Sequence, residues 1–384
     1  MKKDITLYYL FSFFFGAYIA AGTTVLFERV LQFSYTQIFV LGAVYMLMFT
    51  LFEVPSGAFA DLVGRKKSVA LGCLLLVAGS LAYGISSTFW QLFWSSFLWA
   101  AGFSCISGAN QAMLYDRLND EARYAKVLGR SALVGLIGTI LAGVIGPQLF
   151  EIHFRLPYFA SAIPFLISGI LILFFTEERF KGKFTFSNHF RQMREGAGKA
   201  FHNKYVRWSM FVLALVFAAM YTMTNAFQPF LQDIGYQVGV FSIILPAMFI
   251  LQGIGGLVAE KTYGRLGENV FFWIVLVLFG TSIALLGLVP VKPILISLFA
   301  YQFLLGVIGP INSVYANRHI ASHERATVIS VQSMISTIAA SLPLFLFGFL
   351  SDKFGLSNLL IVFGAFLLVS GVSLMINKSK NQGV

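Results

Sequence analysis

The chain alternates between long apolar runs and short polar breaks, and the apolar runs share one length. Runs of roughly 20 residues, the length a helix needs to cross a bilayer core, fall near 5–27, 36–58, 68–87, 90–114, 131–151, 156–175, 206–230, 238–259, 269–289, 293–315, 327–349 and 357–376. The pattern predicts twelve transmembrane helices. The first run follows MKK and ends in AYIAAG, as a secretory leader does. From Ile5 to about Leu26 it is too long for a leader's apolar region, and many spans follow, so it reads as the first membrane helix. One polar break is long and basic, the stretch 177–204. It divides the chain into a six-helix bundle over 1–176 and a second over 205–384, with 177–204 as a cytoplasmic linker. The expected fold is therefore an all-α polytopic membrane protein of two six-helix bundles.

Composition agrees. Of 384 residues, 58% are hydrophobic and 11% are charged, against about 25% charged in a typical soluble domain. The net charge of +11 would point to nucleic acid in a soluble chain, but here it reports topology. With the N-terminus inside, only Arg29, Arg155, Lys292 and Lys353 of the 27 Lys and Arg fall on the outer side. By the excess of cations on cytoplasmic loops, both termini are cytoplasmic and no nucleic-acid partner is expected. Cys73 and Cys105 both lie inside apolar runs, so the sequence offers neither a disulfide framework nor a zinc spacing. The five His (His153, His189, His202, His319 and His323) fall near loops. Metalloprotease, P-loop and nucleophile-elbow patterns do not occur, so no catalytic residue, metal or cofactor is expected and the chain is not read as an enzyme.

The most charge-dense passage of the first hundred residues is EVPSGAFADLVGRKK, 53–67. Glu53, Gly57 and Asp61 recur every fourth residue, so they share a helix face at the inner end of the second span. Gly57 on that face would let a neighbouring backbone approach, Gly64 can end the helix, and Arg65, Lys66 and Lys67 reach headgroup level. An echo follows the eighth span: Gly256, Glu260, Gly264 and Arg265 repeat Gly57, Asp61, Gly64 and Arg65 with one residue inserted. Tyr115 and Tyr315 match near the ends of spans four and ten. Together these matches favour a duplicated six-helix unit.

The passage from Gly57 to Lys67, between spans two and three, resembles the signature loop of the major facilitator superfamily, and the echo lies where that family keeps a second copy. Twelve spans, a basic middle loop and inner termini extend the resemblance over essentially the whole chain. What it implies is a pair of bundles rocking about a central cavity. It also implies an inner latch, in which Asp61 meets the start of span eleven and Arg65 pairs with an acid at the inner end of span four, the place of Asp116. Glu260 and Arg265 would serve the second copy. In span five, Gly135, Gly138, Ala142, Gly143 and Gly146 precede Pro147; physically this is a close-packing face with a potential kink. It partly resembles the Gly-Pro motif of proton-coupled antiporters, but Gln148 and Leu149 replace the glycines expected after the proline. Span four also lacks the buried Arg of many proton-coupled relatives.

Three polar stripes cross otherwise apolar spans. They are Ser104, Ser107 and Gln111 with Asn110 in span four; Tyr221, Asn225, Gln228 and Gln232 in span seven; and Ser330, Ser333, Thr337 and Ser341 in span eleven. Lipid cannot satisfy such groups, so they line a cavity or bond between helices. Collectively they favour a polar cavity, with Gln252 and Asn312 as weaker additions. Glu53 is a candidate for proton coupling, for the latch or for a structural ion pair. Glu28 and Asp233 lie near outer span ends, where a solvated or locally paired charge is the plainer reading and proton coupling the sharper one. Trp90, Trp94 and Trp99 are expected in an aromatic belt.

The expectation is a secondary active transporter, a proton-coupled exporter of small amphipathic or drug-like molecules. An ion-coupled importer or lipid-handling member of the same fold is the alternative, and a receptor or scaffold is the alternative of another class. Its partners would be a small-molecule substrate, a proton or other coupling ion, and the bilayer. It would act as a monomer in a bacterial cytoplasmic membrane.

Overall fold

The computed structural model describes residues 2–177, 198, 201–320 and 325–382. Most of the expected linker, together with His189 and His323, lies outside the described residues. Among those described, every regular element is helical. Twelve helices are long and apolar enough to cross a bilayer: α1 (Lys2–Val30), α2 (Tyr35–Val63), α3 (Arg65–Ile85), α4 (Phe89–Leu118), α5 (Glu121–Ile152), α6 (Leu156–Leu173), α7 (Lys204–Asp233), α8 (Val238–Leu266), α9 (Glu268–Leu288), α10 (Lys292–Arg318), α11 (Thr327–Phe354) and α12 (Leu356–Lys378). Several outrun the apolar runs that announced them. Helix α5 begins ten residues before its apolar run because the polar turns from Glu121 remain helical, started by Asp120, whose carboxylate accepts the Arg123 N–H at 2.8 Å. Hydropathy marks the lipid-length core of a helix and misses its polar extension.

Helix pairing repeats between the two halves of the sequence. In the first, α1 packs on α5, and α3 on α4 and α6; in the second, α7 packs on α11, and α9 on α10 and α12. The chain forms two compact units. The first comprises Met1–Phe33, Leu41–Phe186 and Gln237–Pro246, and the second Ser34–Val40, Ser187–Tyr236 and Ala247–Val384. The start of α2 thus belongs to the second unit and that of α8 to the first. A carboxylate holds each start: Asp352 accepts the N–H groups of Tyr35 (2.7 Å) and Thr36 (2.8 Å), and Glu151 accepts the Gly239 N–H at 2.7 Å. Unpaired N–H groups and the helix dipole both favour an anion there.

In the first unit, the small-residue stripe of α5 sets the distance to α1. A Cβ at Gly138 would run into the Phe13 carbonyl oxygen, and one at Gly146 into that of Ile19. Gly57, expected to admit a neighbouring backbone, has nothing within 4 Å of where its Cβ would be. The close approach is made instead by glycines facing another helix, such as Gly255 of α8 against the Phe303 carbonyl. Beside the glycine seam, α1 is broken: its first helical segment ends at Gly16, a 3-10 turn follows over Ile19–Gly22, and helix resumes at Thr24. Neighbouring helices repair the backbone. The Thr139 hydroxyl donates to the Gly16 carbonyl (3.0 Å) and the Ala20 N–H donates to the Ser161 hydroxyl oxygen (3.0 Å).

In the second unit, α7, α10 and α11 are joined by buried amides and hydroxyls. Ser209 Oγ donates to Asn312 Oδ1 (3.0 Å), Gln332 Nε2 donates to Ser209 Oγ (3.0 Å), and Ser336 donates to the Met210 carbonyl (3.1 Å). Gly138→Leu should separate α1 from α5 and cost on the order of 1–3 kcal/mol, lowering the unfolding temperature of detergent-purified protein. Gly108→Ala, at a site with nothing within 4 Å, should leave it unchanged or slightly raised. Equal unfolding temperatures for the two variants would contradict this packing.

Candidate functional site

The break between α2 and α3 is made by Gly64, whose φ of 103° and ψ of 143° suit only glycine. It ends the helix as expected, at a positive φ. Immediately after it, Arg65 pairs with Asp116 at the end of α4, with side-chain exposures of 17% and 43%. Glu177 accepts the Lys66 N–H at 3.0 Å, placing a carboxylate on the N-terminus of α3. Asp61 is half-buried, on the last turn of α2 before Gly64. Glu53 is also half-buried, and its backbone carbonyl accepts the Ser56 hydroxyl at 3.1 Å.

The second copy is displaced from its expected place. Helix α8 continues through Gly264 and Arg265, and the glycine that starts α9 is Gly267, with φ 73° and ψ 162°. Gly267, not Gly264, is the counterpart of Gly64, so the residue equivalent to Arg65 is Glu268. Glu260, Gly264 and Arg265 are exposed on the last turns of α8.

A pocket of about 220 Å³ opens in the first unit, beside the glycine seam. Its polar groups come from Tyr8, Ser12, Asn110, Gln111 and Ser131, and its apolar walls include Phe11 and Phe15. Two members of the expected span-four stripe, Asn110 and Gln111, therefore meet in one cavity. Ser107 is exposed elsewhere on α4. Ser104 is buried, donating to the Phe49 carbonyl at 2.9 Å, which is interhelical packing. Near the break in α1, Tyr18, Trp99, Phe103 and Phe165 form an aromatic cluster, with Tyr18 and Trp99 centroids 4.7 Å apart. Trp99 thus leaves the expected belt for the interior at 6% exposure, whereas Trp90 and Trp94 remain over 60% exposed.

Glu28 is the sharpest departure from the plainer expectation. It is 3% exposed, neither solvated nor at a surface. Oε1 accepts the Tyr83 hydroxyl at 2.5 Å, and the Tyr83 ring stacks on Tyr158 at 4.7 Å. Oε2 and the Tyr158 hydroxyl have no hydrogen-bond partner among the described residues. Asp233 is exposed and accepts the Tyr35 hydroxyl at 3.2 Å, a solvated end charge.

The remaining polar candidates belong to the second unit. Asn225 donates to the Tyr221 carbonyl of its own helix (2.8 Å), Gln228 is 1% exposed, and Asn312 is committed to Ser209. Gln252, Ser333 and Thr337 lie on α8 and α11 in the second unit. In the seam, a Cβ at Gly135 would lie 3.2 Å from the Ser12 carbonyl oxygen, one at Gly143 would meet Leu245 and Pro246 of the first unit, and Pro147 is buried. Sequence reasoning passed over Gln332, the 3% exposed Asp4 side chain with its ion pair to Arg117 (2.9 Å), and the pair of Glu268 and Lys378 (2.8 Å). Asp4 offered a signal: an acid among apolar residues at the start of a span demands a buried partner. Among the described residues there is no cluster of metal-ligating side chains.

Similarity to known proteins agrees with this architecture. Residues 6–344 match the family model of the Major Facilitator Superfamily. An uncharacterized MFS-type transporter of Bacillus subtilis (strain 168), YxaM, is 25% identical over 353 residues, covering 88% of this chain and 86% of that protein. Multidrug resistance protein 1 of the same organism is 29% identical over 174 residues, 44% of each chain. A crystal structure of a variant of the nucleoside transporter NupG superposes with a TM-score of 0.82 at 16% identity, covering 97% of this chain and 99% of the other. That likeness speaks to fold alone. With twelve apolar helices, a repeated pairing of helices in the two halves and a family match over most of its length, the chain belongs to the Major Facilitator Superfamily and is a multi-pass membrane transporter.

Proposed function

We propose that this transporter exports small amphipathic or drug-like molecules by alternating access, driven by inward proton flow. The reading places it as a monomer in a bacterial cytoplasmic membrane with both termini inside, as the distribution of Lys and Arg favours. Bundles over 1–176 and 205–384 would move against each other about the linker 177–204.

The observation that carries the reading is the pocket beside the glycine seam. Amide and hydroxyl groups line it together with phenyl rings, and among the described residues no carboxylate does. Such a lining suits a neutral or weakly charged amphipathic molecule, whose ring packs on Phe11 and Phe15 while its polar atoms meet Asn110 and Gln111. At about 220 Å³ it is smaller than the roughly 300–1,000 Å³ of drug-sized sites, so it holds one ring system or head group. Export is supported by the relative named as a multidrug resistance protein and by the partial Gly-Pro motif of α5.

For the coupling group the reading selects Glu28. A buried carboxyl with an oxygen left unpaired is costly to hold inside a membrane protein and marks function by default. Glu53 and Asp233 are the lesser candidates. The latch is assigned to Asp61, Arg65 and Asp116: the Arg65–Asp116 pair is partly exposed, which keeps it weak enough to be remade in each cycle.

The test uses inside-out vesicles with an acidified interior, a pH-sensitive dye and a chemically broad panel of compounds. Wild-type protein should discharge the gradient with some compounds, and Asp61→Asn, present at equal level, should lose most of that response. A response that survives intact in Asp61→Asn removes the latch, and silence of the wild type across the panel removes proton-coupled export. Among the responsive compounds, Asn110→Ala and Gln111→Ala should change the order of preference without lowering protein level. An unchanged order would return both residues to packing.

A further inference from the structure

At the end of α12 a lysine is buried that the positive-inside pattern places at the headgroups. Lys378 is 4% exposed. Its Nζ lies 4.7 Å from the ring centroid of Trp208 and 5.0 Å from those of Phe272 and Tyr315. A carboxylate oxygen of Glu268 is 2.8 Å away. The rings stand edge to face, with interplanar angles of 82° for Trp208–Phe272, 63° for Trp208–Tyr315 and 80° for Phe272–Tyr315, so their faces wall a box rather than a stack. Two further bonds hold the walls. The Trp208 indole N–H donates to the Leu374 carbonyl at 3.0 Å, and the other oxygen of Glu268 accepts the Tyr263 hydroxyl at 3.0 Å.

These walls discriminate by charge and shape. Ring faces attract a cation through their quadrupole, most strongly when it is desolvated, but they do not require N–H groups. A methylated ammonium therefore fits the same chemistry as a lysine. The place has a counterpart in the first unit, where Glu177, following α6, caps the start of α3 through the Lys66 N–H. There the group from the end of the half is an anion. In the second unit the charge is reversed, with the anion in the first turn of α9 and the cation on α12.

We infer that Trp208, Phe272, Tyr315 and Glu268 form an alkylammonium-binding site that Lys378 fills as a tethered ligand. A free alkylammonium ion competes with Lys378 there, and its binding releases the end of α12 from the start of α9. The tether presents Lys378 at an effective concentration on the order of millimolar, so competition needs free cation in that range or above. The site belongs to the second unit and shares no residue with the pocket beside the seam, and its behaviour does not depend on what the protein transports.

The test uses the purified full-length protein and an amine-reactive acylating reagent, with modification of each lysine followed by mass spectrometry. Lys378 should react many-fold more slowly than the exposed Lys67. Tetramethylammonium chloride should speed the reaction at Lys378 several-fold over equimolar sodium chloride and leave Lys67 unchanged. In Lys378→Ala the vacated box should bind tetramethylammonium, raising that variant's unfolding temperature above its value in sodium chloride. Adding Trp208→Leu should erase the rise. Lys378 reacting as fast as Lys67, or responding alike to the two salts, overturns the site. That labelling decides the matter in wild-type protein even if Lys378→Ala does not fold, and it needs no transport substrate.

Discussion

A helix in hydrocarbon must satisfy its own backbone, because lipid offers no hydrogen bonds. This requirement is relaxed at the break in α1, in the first unit, and the surroundings follow from it. When α1 breaks after Gly16, the freed carbonyl and the Ala20 N–H must be met by side chains on other helices, and Thr139 and Ser161 meet them. The Thr139 bond requires α1 to lie almost against the backbone of α5, which a seam of glycines permits. The close seam then fixes where the pocket can open, among Tyr8, Ser12, Asn110 and Gln111. Beyond the break the chain carries Glu28 into the interior, where Tyr83 meets one of its oxygens. Seam, break, pocket and buried acid form one connected piece of chemistry.

The two halves share helix pairings but have diverged in their charged joints. Gly64 and Gly267 occupy the same position with the same sign of φ, yet Arg65 follows one and Glu268 the other. The Arg65–Asp116 pair is partly exposed and the Lys378 side chain almost fully enclosed. An exposed pair is screened by salt and contributes little to stability, whereas an enclosed one loses far more when a single partner is removed. The two joints thus share a place in the pairing scheme but differ in charge and in burial.

Much of this was legible in the residues. Span number follows from apolar run length. The Arg65–Asp116 pair follows from the signature loop, and the glycine face of α5 from its spacing. Misreadings came where two physical meanings share one sequence pattern. Asn312 lies in an apolar helix as a cavity residue would, but Ser209 sits opposite it, which no single helix reveals. Lys378 resembles any headgroup cation, because the rings that enclose it come from α7, α9 and α10, far off in the chain. Gly264 fitted the echo by spacing, while Gly267 is set by where α8 can stop. The break in α1 leaves no mark in hydropathy, since the stretch Lys2–Val30 that contains it still averages apolar enough for a span.

The central claim is that the pocket beside the glycine seam takes the transported molecule. The most direct measurement places a single reactive thiol in its wall by Ser12→Cys. The native Cys73 and Cys105 are buried and contribute little background. A maleimide reagent then reports access to the pocket, with and without a compound that discharges the proton gradient in vesicles. The account predicts that such a compound slows labelling in proportion to its occupancy, while an untransported analogue does not. Labelling at one rate in the presence and absence of transported compounds would contradict it and place the substrate elsewhere in the molecule.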